Sequence, residues 1–347
     1  MAAATLPLAS AAALFRQLSD LSDGGFTPAE AVAVLREDED AAGMSATLAE
    51  LARDLEQRDA LAPALERHVA AFGTEVVALV RAAEERNALP AALALLADDF
   101  ERRQQLHKGL LTVLFWPLFL LGFLALITMT LMIFVIPSFK TVFHNFGADL
   151  PGLTLLIMAI ADGFASYGIV IVALLVALPF AVGWVRRRTR HGPAIDAIFL
   201  KLPGTRRFLV KLLLGRLSAL LAGAAESGIP AAAVIGYLRS TLGNLHLRGV
   251  IGALEHDVAQ GMPLSAAWRK QALLPRGFAR MMDIGERSKK LGPALARAAQ
   301  TYTLEAVQAI SVFRQVLVIT AYVLAGVIVG ITVIAMYLPI FKLGAAI

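Results

Sequence analysis

The sequence predicts an all-α, polytopic membrane protein with three transmembrane helices and two homologous cytoplasmic helical-bundle domains. Three observations predict it. The 347 residues are 58% hydrophobic and 17% charged, with a mean hydropathy of +0.68, too apolar for an ordinary soluble chain. Three long runs carry no charge. The chain also repeats itself at an offset of 202–203 residues, the mark of a duplicated unit.

Residues 1–108 are read as the first cytoplasmic domain. Leu14, Leu18 and Leu21, then Leu48, Leu51 and Leu55, then Leu89, Leu93, Leu96 and Phe100 recur at the spacing of a helical face. Gly25 suits a tight turn between helices, since a residue without Cβ reaches φ > 0. No charged stretch precedes the small residues of MAAATLPLAS, so no cleavable signal peptide is expected.

The first span is 109–136, longer than the roughly 20 apolar residues that cross a bilayer. A short loop, 137–152, follows. The second span is 153–185, centred on the uncharged run Gly163–Val185. Asp162 lies at the start of that run, where a hydrated interface suits a carboxylate. Residues 186–314 form the second cytoplasmic domain, with Val250, Leu254 and Val258 on a helical face. The third span is 315–341, and 342–347 is a short tail. Pro137, Pro151 and Pro339 stand where the chain leaves the membrane.

Orientation follows from the cations. Arg102, Arg103 and Lys108 precede the first span, Arg186, Arg187, Arg188 and Arg190 follow the second, and Arg314 precedes the third. The positive-inside rule puts the N-terminus and 186–314 in the cytoplasm. The loop 137–152 and the C-terminus then face the periplasm. The repeat requires the same topology. Each unit is a helical domain followed by an exit helix, and both exits point one way only if the chain returns between them.

The repeat is legible in detail. Gly25-Phe26-Thr27-Pro28 aligns with Gly228-Ile229-Pro230-Ala231, and Leu14 and Leu18 align with Leu217 and Leu221. Leu61 aligns with Leu264, and the Leu89 face with Leu291, Leu295, Ala298 and Tyr302. Pro137-Ser138-Phe139-Lys140 aligns with Pro339-Ile340-Phe341-Lys342. Glu84 and Glu85 fall where the second repeat has Glu286, at a helix end that suits either a solvated carboxylate, domain packing or a partner contact.

Charge separates the two domains. Residues 1–108 hold 10 Lys/Arg against 18 Asp/Glu, a formal −8, and residues 186–314 hold 20 against 7, a formal +13. The basic excess fits an anionic inner leaflet, or surfaces of opposite sign offered to partners or to each other. Scattered cations without interleaved aromatics do not read as a nucleic-acid site.

Much chemistry is absent from the sequence. With no cysteine there is no thiolate metal site and no cysteine nucleophile. No P-loop, H-E-x-x-H pair or G-x-S-x-G elbow occurs. The six histidines are dispersed. No cofactor and no catalytic residue is expected.

Several segments together resemble the inner-membrane platform family shared by type II secretion (protein F) and type IV pilus assembly. They are FVIPSFKTVFHNFGADLPGLT after the first span, LPGTRRFLVKLLLGRLSALLAGAAESGIPAAAVI, GMPLSAAW, LLPRGFARMMDIGERSKKLGPAL, and the final YLPIFKL. The likeness runs over about residues 10–345. It implies six-helix cytoplasmic bundles, self-association in the inner membrane, and contact with a cytoplasmic hexameric assembly ATPase. It also implies contact with pilin or pseudopilin and with other inner-membrane assembly proteins. The family's Gly-x-Pro turn falls on Gly228-Ile229-Pro230 and is degenerate at Gly25. Its Gly-Glu-Glu-Ser-Gly stretch falls on Gly285-Glu286-Arg287-Ser288 and departs at Lys289. In the first repeat it falls on Ala83-Glu84-Glu85-Arg86-Asn87, with both glycines replaced. The first repeat begins almost at once, at Leu14, which resembles the shorter type IVb or thin-pilus platforms.

The leading expectation is therefore a pilus platform, with a secretion-system platform as its near alternative. A small transporter is the alternative of another class. Direct repeats and unbroken spans without midplane charge argue against it. A membrane-embedded enzyme lacks any nucleophile–base constellation.

Overall fold

The computed structural model describes residues 6–37, 45–56, 60–106, short stretches between 116 and 130, residue 196 and 203–346. Every described element is helical. The first two spans and the loop between them, with Pro137, Pro151 and Asp162, lie outside the described residues apart from those short stretches.

The chain divides into two compact units. One comprises Met1–Lys108 with His191–Ala309, the other Gly109–Arg190 with Ile310–Ile347. The first unit contains both repeats. Its first bundle is α1 (Leu8–Asp23), α2 (Pro28–Glu37), α3 (Ser45–Glu56), α4 (Leu61–Arg67), the single turn α5 (Val69–Phe72), α6 (Thr74–Glu84) and α7 (89–106). Its second bundle is α8 (Pro203–Ser227), α9 (Ala231–Thr241), α10 (Leu245–Ala259), α11 (Leu264–Arg269), α12 (Arg276–Arg287) and the start of α13 (Leu291–Ala346). With α5 set aside, the described residues of each bundle form six helices in the same order.

Local chemistry starts and stops these helices. At α2, the Thr27 backbone and side-chain hydroxyl both donate to Glu30 Oε2 (2.9 and 2.8 Å), while the Glu30 backbone donates back to Thr27 Oγ1. This reciprocal cap satisfies amides that the first turn leaves open. At α10, Asn244 Oδ1 accepts from the Leu247 amide and Asp196 Oδ2 from the Leu245 amide at 2.6 Å, so a carboxylate meets the positive end of a helix. Within α12, Phe278, Ala279, Met282 and Gly285 are buried at the spacing of one face.

The buried apolar residues of both bundles join in one continuous core. In the first bundle Phe15 stacks on Phe100 at 5.4 Å and meets Phe72 edge-on. In the second, Trp268 lies 4.7 Å from Phe278, which meets Tyr302 edge-on. Each such buried side chain contributes about 1.5–3 kcal/mol.

Among the described residues two helices are long and apolar enough to cross a membrane, and their surroundings separate them. In Thr205–Ser227, 56% of the apolar window is buried, so α8 is a core helix of the second bundle. In α13 only 6% is buried. Val316, Ile319, Val323 and Val327 are all exposed there, a surface that lipid can cover and water cannot. Pro339 lies inside α13, which continues to Ala346. Within the second unit, Trp116 Nε1 donates to Tyr322 Oη at 3.4 Å, tying the 116–130 stretch to α13.

Candidate functional site

The two bundles meet through α6 and α7 of the first and α8 and α9 of the second. Helix α9 packs directly on α6. Gly223 in α8 leaves room for Leu95, whose Cδ1 lies 3.0 Å from where a Cβ would stand. At the centre of this contact is a buried polar network. Arg216 donates from Nε and Nη2 to both oxygens of Asp99, at 2.9 and 2.8 Å. Its Nη2 also reaches Thr241 Oγ1 at 2.9 Å. The Tyr237 hydroxyl donates to Asp99 Oδ2 at 2.8 Å. The side chains of Asp99 and Arg216 are 3% and 10% exposed, so the pair is withdrawn from water.

Burial works against the Asp99 carboxylate, and the Arg216 charge and hydrogen bonds more than offset it, so the acid stays below its ordinary value. Burial, followed by the Asp99 charge, pushes Tyr237 well above the ordinary phenol. The two shifts act at opposite ends of the pH scale. Asp99 stabilises the fold above its unfolded pKa of about 3.9, and that contribution is lost as pH falls through the lower folded value. Tyr237 contributes fully below about pH 10 and loses its contribution as pH rises towards the folded value. Unfolding followed by circular dichroism is therefore expected to show an alkaline decline starting near pH 10. Tyr237→Phe should flatten it, leaving a smaller part from Tyr302, which burial also raises. An unchanged alkaline limb in that variant would exclude Tyr237 as its source.

Nothing in the sequence-level reading singled out Asp99, Arg216 or Tyr237. A signal existed: Asp99 continues the face of Ala92, Leu95 and Leu96, and Arg216 interrupts the apolar run around Leu213, Leu217 and Leu220. A charge on each of two apolar faces, opposite in sign, is the pattern of a buried pair.

The singled-out glycines and glutamates fall into two repeated devices. The first is a left-handed helix end. Gly25 (φ 88°) and Gly228 (φ 71°) stand there, with Phe26 N donating to Leu21 O and Ile229 N to Ala224 O across the turn, the closing bond of a Schellman motif. Pro230 then caps α9 with φ −59°. Asn87 (φ 52°) and Lys289 (φ 55°) take the same conformation. Ala88 N donates to Ala83 O and Lys290 N to Gly285 O, both at 2.9 Å. So the first repeat keeps this turn although its glycines are gone. Gly285 lies 3.1 Å, from its would-be Cβ, to Leu291 Cα, whereas the first repeat fits buried Ala83 there. Gly228→Ala should cost about 1–2 kcal/mol in thermal unfolding, and Lys289→Gly should gain about 1, because only glycine escapes the left-handed penalty. Equal melting of all three proteins would refute this.

The second device is an internal cap. Glu84 accepts from the Leu61 and Ala62 amides at 2.5 and 3.2 Å. Glu286 accepts from the Ser265 amide at 3.3 Å and its hydroxyl at 2.5 Å. Each carboxylate thus closes the start of the fourth helix of its own bundle, where the dipole favours it. Glu85, beside Glu84, is exposed.

An apolar cavity of about 230 Å³ lies inside the second bundle, between Leu221, Ile229, Leu264 and Leu295 with Glu286 at its wall. It is smaller than the usual ligand pocket of about 300–1,000 Å³. Among the described residues no group of three or more His, Cys, Asp or Glu side chains could hold a metal ion.

Comparisons with known proteins match this duplicated architecture. The family model described as type II secretion system (T2SS), protein F, matches twice, at residues 14–137 and 217–339. The type 4 fimbrial assembly protein PilC of Pseudomonas putida is 32% identical over 336 residues, 96% of this chain and 83% of the relative. The type IV pilus assembly protein PilC of Thermus thermophilus is 27% identical, over 94% of this chain and 81% of the relative. The type II secretion system protein F of Xanthomonas campestris is 27% identical, over 68% of this chain and 58% of the relative.

Proposed function

The chain belongs to the type II secretion system protein F family, a family of non-enzymatic membrane platforms, and on that premise we propose that it is the inner-membrane platform of a type IV pilus assembly machine. The observation that carries the pilus reading is the extent of likeness. A relative named for pilus assembly is 32% identical along 96% of the chain, against 27% along 68% for the secretion-system relative, although another pilus-assembly relative aligns along only 63%. In this reading residues 1–108 and 186–314 are cytoplasmic, three spans cross the inner membrane, and the loop 137–152 and the C-terminal tail are periplasmic. The platform couples a cytoplasmic hexameric assembly ATPase to pilin entering the filament, alongside other inner-membrane assembly proteins and further copies of itself.

Its physical support is a rigid pair of bundles. A shared core and a buried ion pair let a push on one bundle reach the other without loss in a loose linker. Deleting the chain should abolish surface pili while pilin still accumulates in the membrane. Pili persisting without a second platform gene would overturn the reading, and loss of secretion with normal pili would move the chain to a secretion machine.

The two adjacent glutamates separate a partner contact from a structural role. Glu84→Ala should lower stability by about 1 kcal/mol through the lost cap. Glu85→Lys should leave stability unchanged and weaken co-purification of the ATPase. Full ATPase recovery with Glu85→Lys removes that residue from the contact.

A further inference from the structure

The internal interface uses a different face of each bundle: α6–α7 on the first, α8–α9 on the second. Because the bundles are repeats, each face has a counterpart. The counterpart of α8–α9 is α1–α2 on the first bundle, and the counterpart of α6–α7 is α12–α13 on the second. A contact of this head-to-tail kind does not use up its own surfaces. It leaves one complementary face open at each end.

Both open faces carry the marks of that role. Tyr237, fully buried in the internal contact, corresponds to Val34, which is 47% exposed. Ala82, half-buried on α6, the helix on which α9 packs, corresponds to Ile284, which is 68% exposed. Buried Asp99 corresponds to exposed Thr301. Where Leu95 meets Gly223 inside the chain, the corresponding residues are Arg297 and Asp20, both exposed and opposite in charge. The open α12 face also presents Arg280. The formal −8 of residues 1–108 and +13 of 186–314 give the same complementarity over a longer range.

We propose that a second copy of this chain docks its α1–α2 face on the α12–α13 face of the first, repeating the internal bundle contact between protomers. Asp20 of one protomer then stands against the partner's Arg297, and Val34 and Ile284 lie in the apolar centre of the contact. The charged pair replaces the tight Leu95–Gly223 packing, and Thr301 replaces Asp99, so the contact between chains has no buried ion pair and is weaker than the one within a chain. Repetition of the step closes a ring or extends a row in the membrane. This deepens the self-association in the proposed function and is independent of the choice between pilus and secretion.

The chain has no cysteine, which makes the test clean. The full-length protein in native membranes carries Asp20→Cys with Arg297→Cys and is oxidised mildly. Dimers and higher rungs of a ladder are expected, while either single substitution alone stays largely monomeric on the gel. Leu95→Cys with Gly223→Cys, which should close within one chain and shift only the monomer band, reports that the oxidant works. Separately, Asp20→Arg should lower the oligomer fraction about fivefold, and adding Arg297→Asp should restore it. Oligomers that persist with no 20–297 crosslink, the control pair closing normally, overturn this interface and leave the platform reading standing. A chain that stays monomeric in native membranes overturns both the interface and the self-association.

Discussion

Asp99→Ala is expected to destabilise the paired bundles by about 3–5 kcal/mol, the largest loss for any single polar side chain described here. The reason is asymmetric. Intact, the Asp99–Arg216 pair gains by attraction roughly what it lost in leaving water. With the carboxylate removed, the Arg216 guanidinium stays buried without its counter-charge, and the Tyr237 hydroxyl loses its acceptor. The triple change Asp99→Leu, Arg216→Met and Tyr237→Phe leaves no such orphan, and it should melt within about 1 kcal/mol of the parent. Thermal unfolding of the full chain in detergent compares the three. Asp99→Ala melting with the parent would mean that the network is solvated and that apolar packing alone holds the bundles together. The pair also bears on function. If piliation fails in Asp99→Ala and returns in the triple variant, the bundles need firm packing. If it fails in both, the charges themselves are used.

The parts of the fold that could be read from the sequence were those with a local cause. Leucines at helical spacing gave the helices, and a glycine where no side chain tolerates φ near 70–90° marked the ends of α1 and α8. The duplication gave the bundle order, since a face that recurs two hundred residues later must bury against the same kind of neighbour. What stayed hidden was non-local. Lys289 adopts the left-handed turn against its own preference, while Asn87 is a residue that visits this conformation more readily than most, a signal too weak to mark the turn alone. Glu84 and Glu286 suited a solvated, a packing or a contact role equally, because the amides they cap lie 23 and 21 residues away. The apolarity of α8 is nearly that of a span, and only its burial shows that it is a core helix. The Asp99–Arg216 pair spans 117 residues and joins one repeat to the other. Repeat symmetry conceals it, since its counterparts are Thr301 and Ala13 and no duplicated motif points to it.

The same distinction between the repeats governs the second large effect. Trp268→Ala should cost about 3–5 kcal/mol and act on the second bundle alone. The side chain is 1% exposed. Its Nε1 donates to Pro275 O at 3.1 Å, and its ring packs against Phe278. It therefore fixes α11, the loop to α12 and the first turn of α12 as one piece, and Phe278 carries that order to Tyr302 in α13. Trp268→Phe keeps most of the ring and loses the hydrogen bond, so it should cost about 1–2 kcal/mol. Hydrogen exchange on the full chain should then show lost protection in α11 and α12 for the alanine variant, with α2 and α3 of the first bundle unchanged. Equal loss throughout both bundles would mean that the common core unfolds as a single unit, and that the ordering of α12 cannot be separated from that of the first repeat. If the loss is local, the α12 face that carries Ile284 and Arg280 should fail to recruit a second chain while the first bundle remains folded, because a docking face is only as ordered as the helix that presents it.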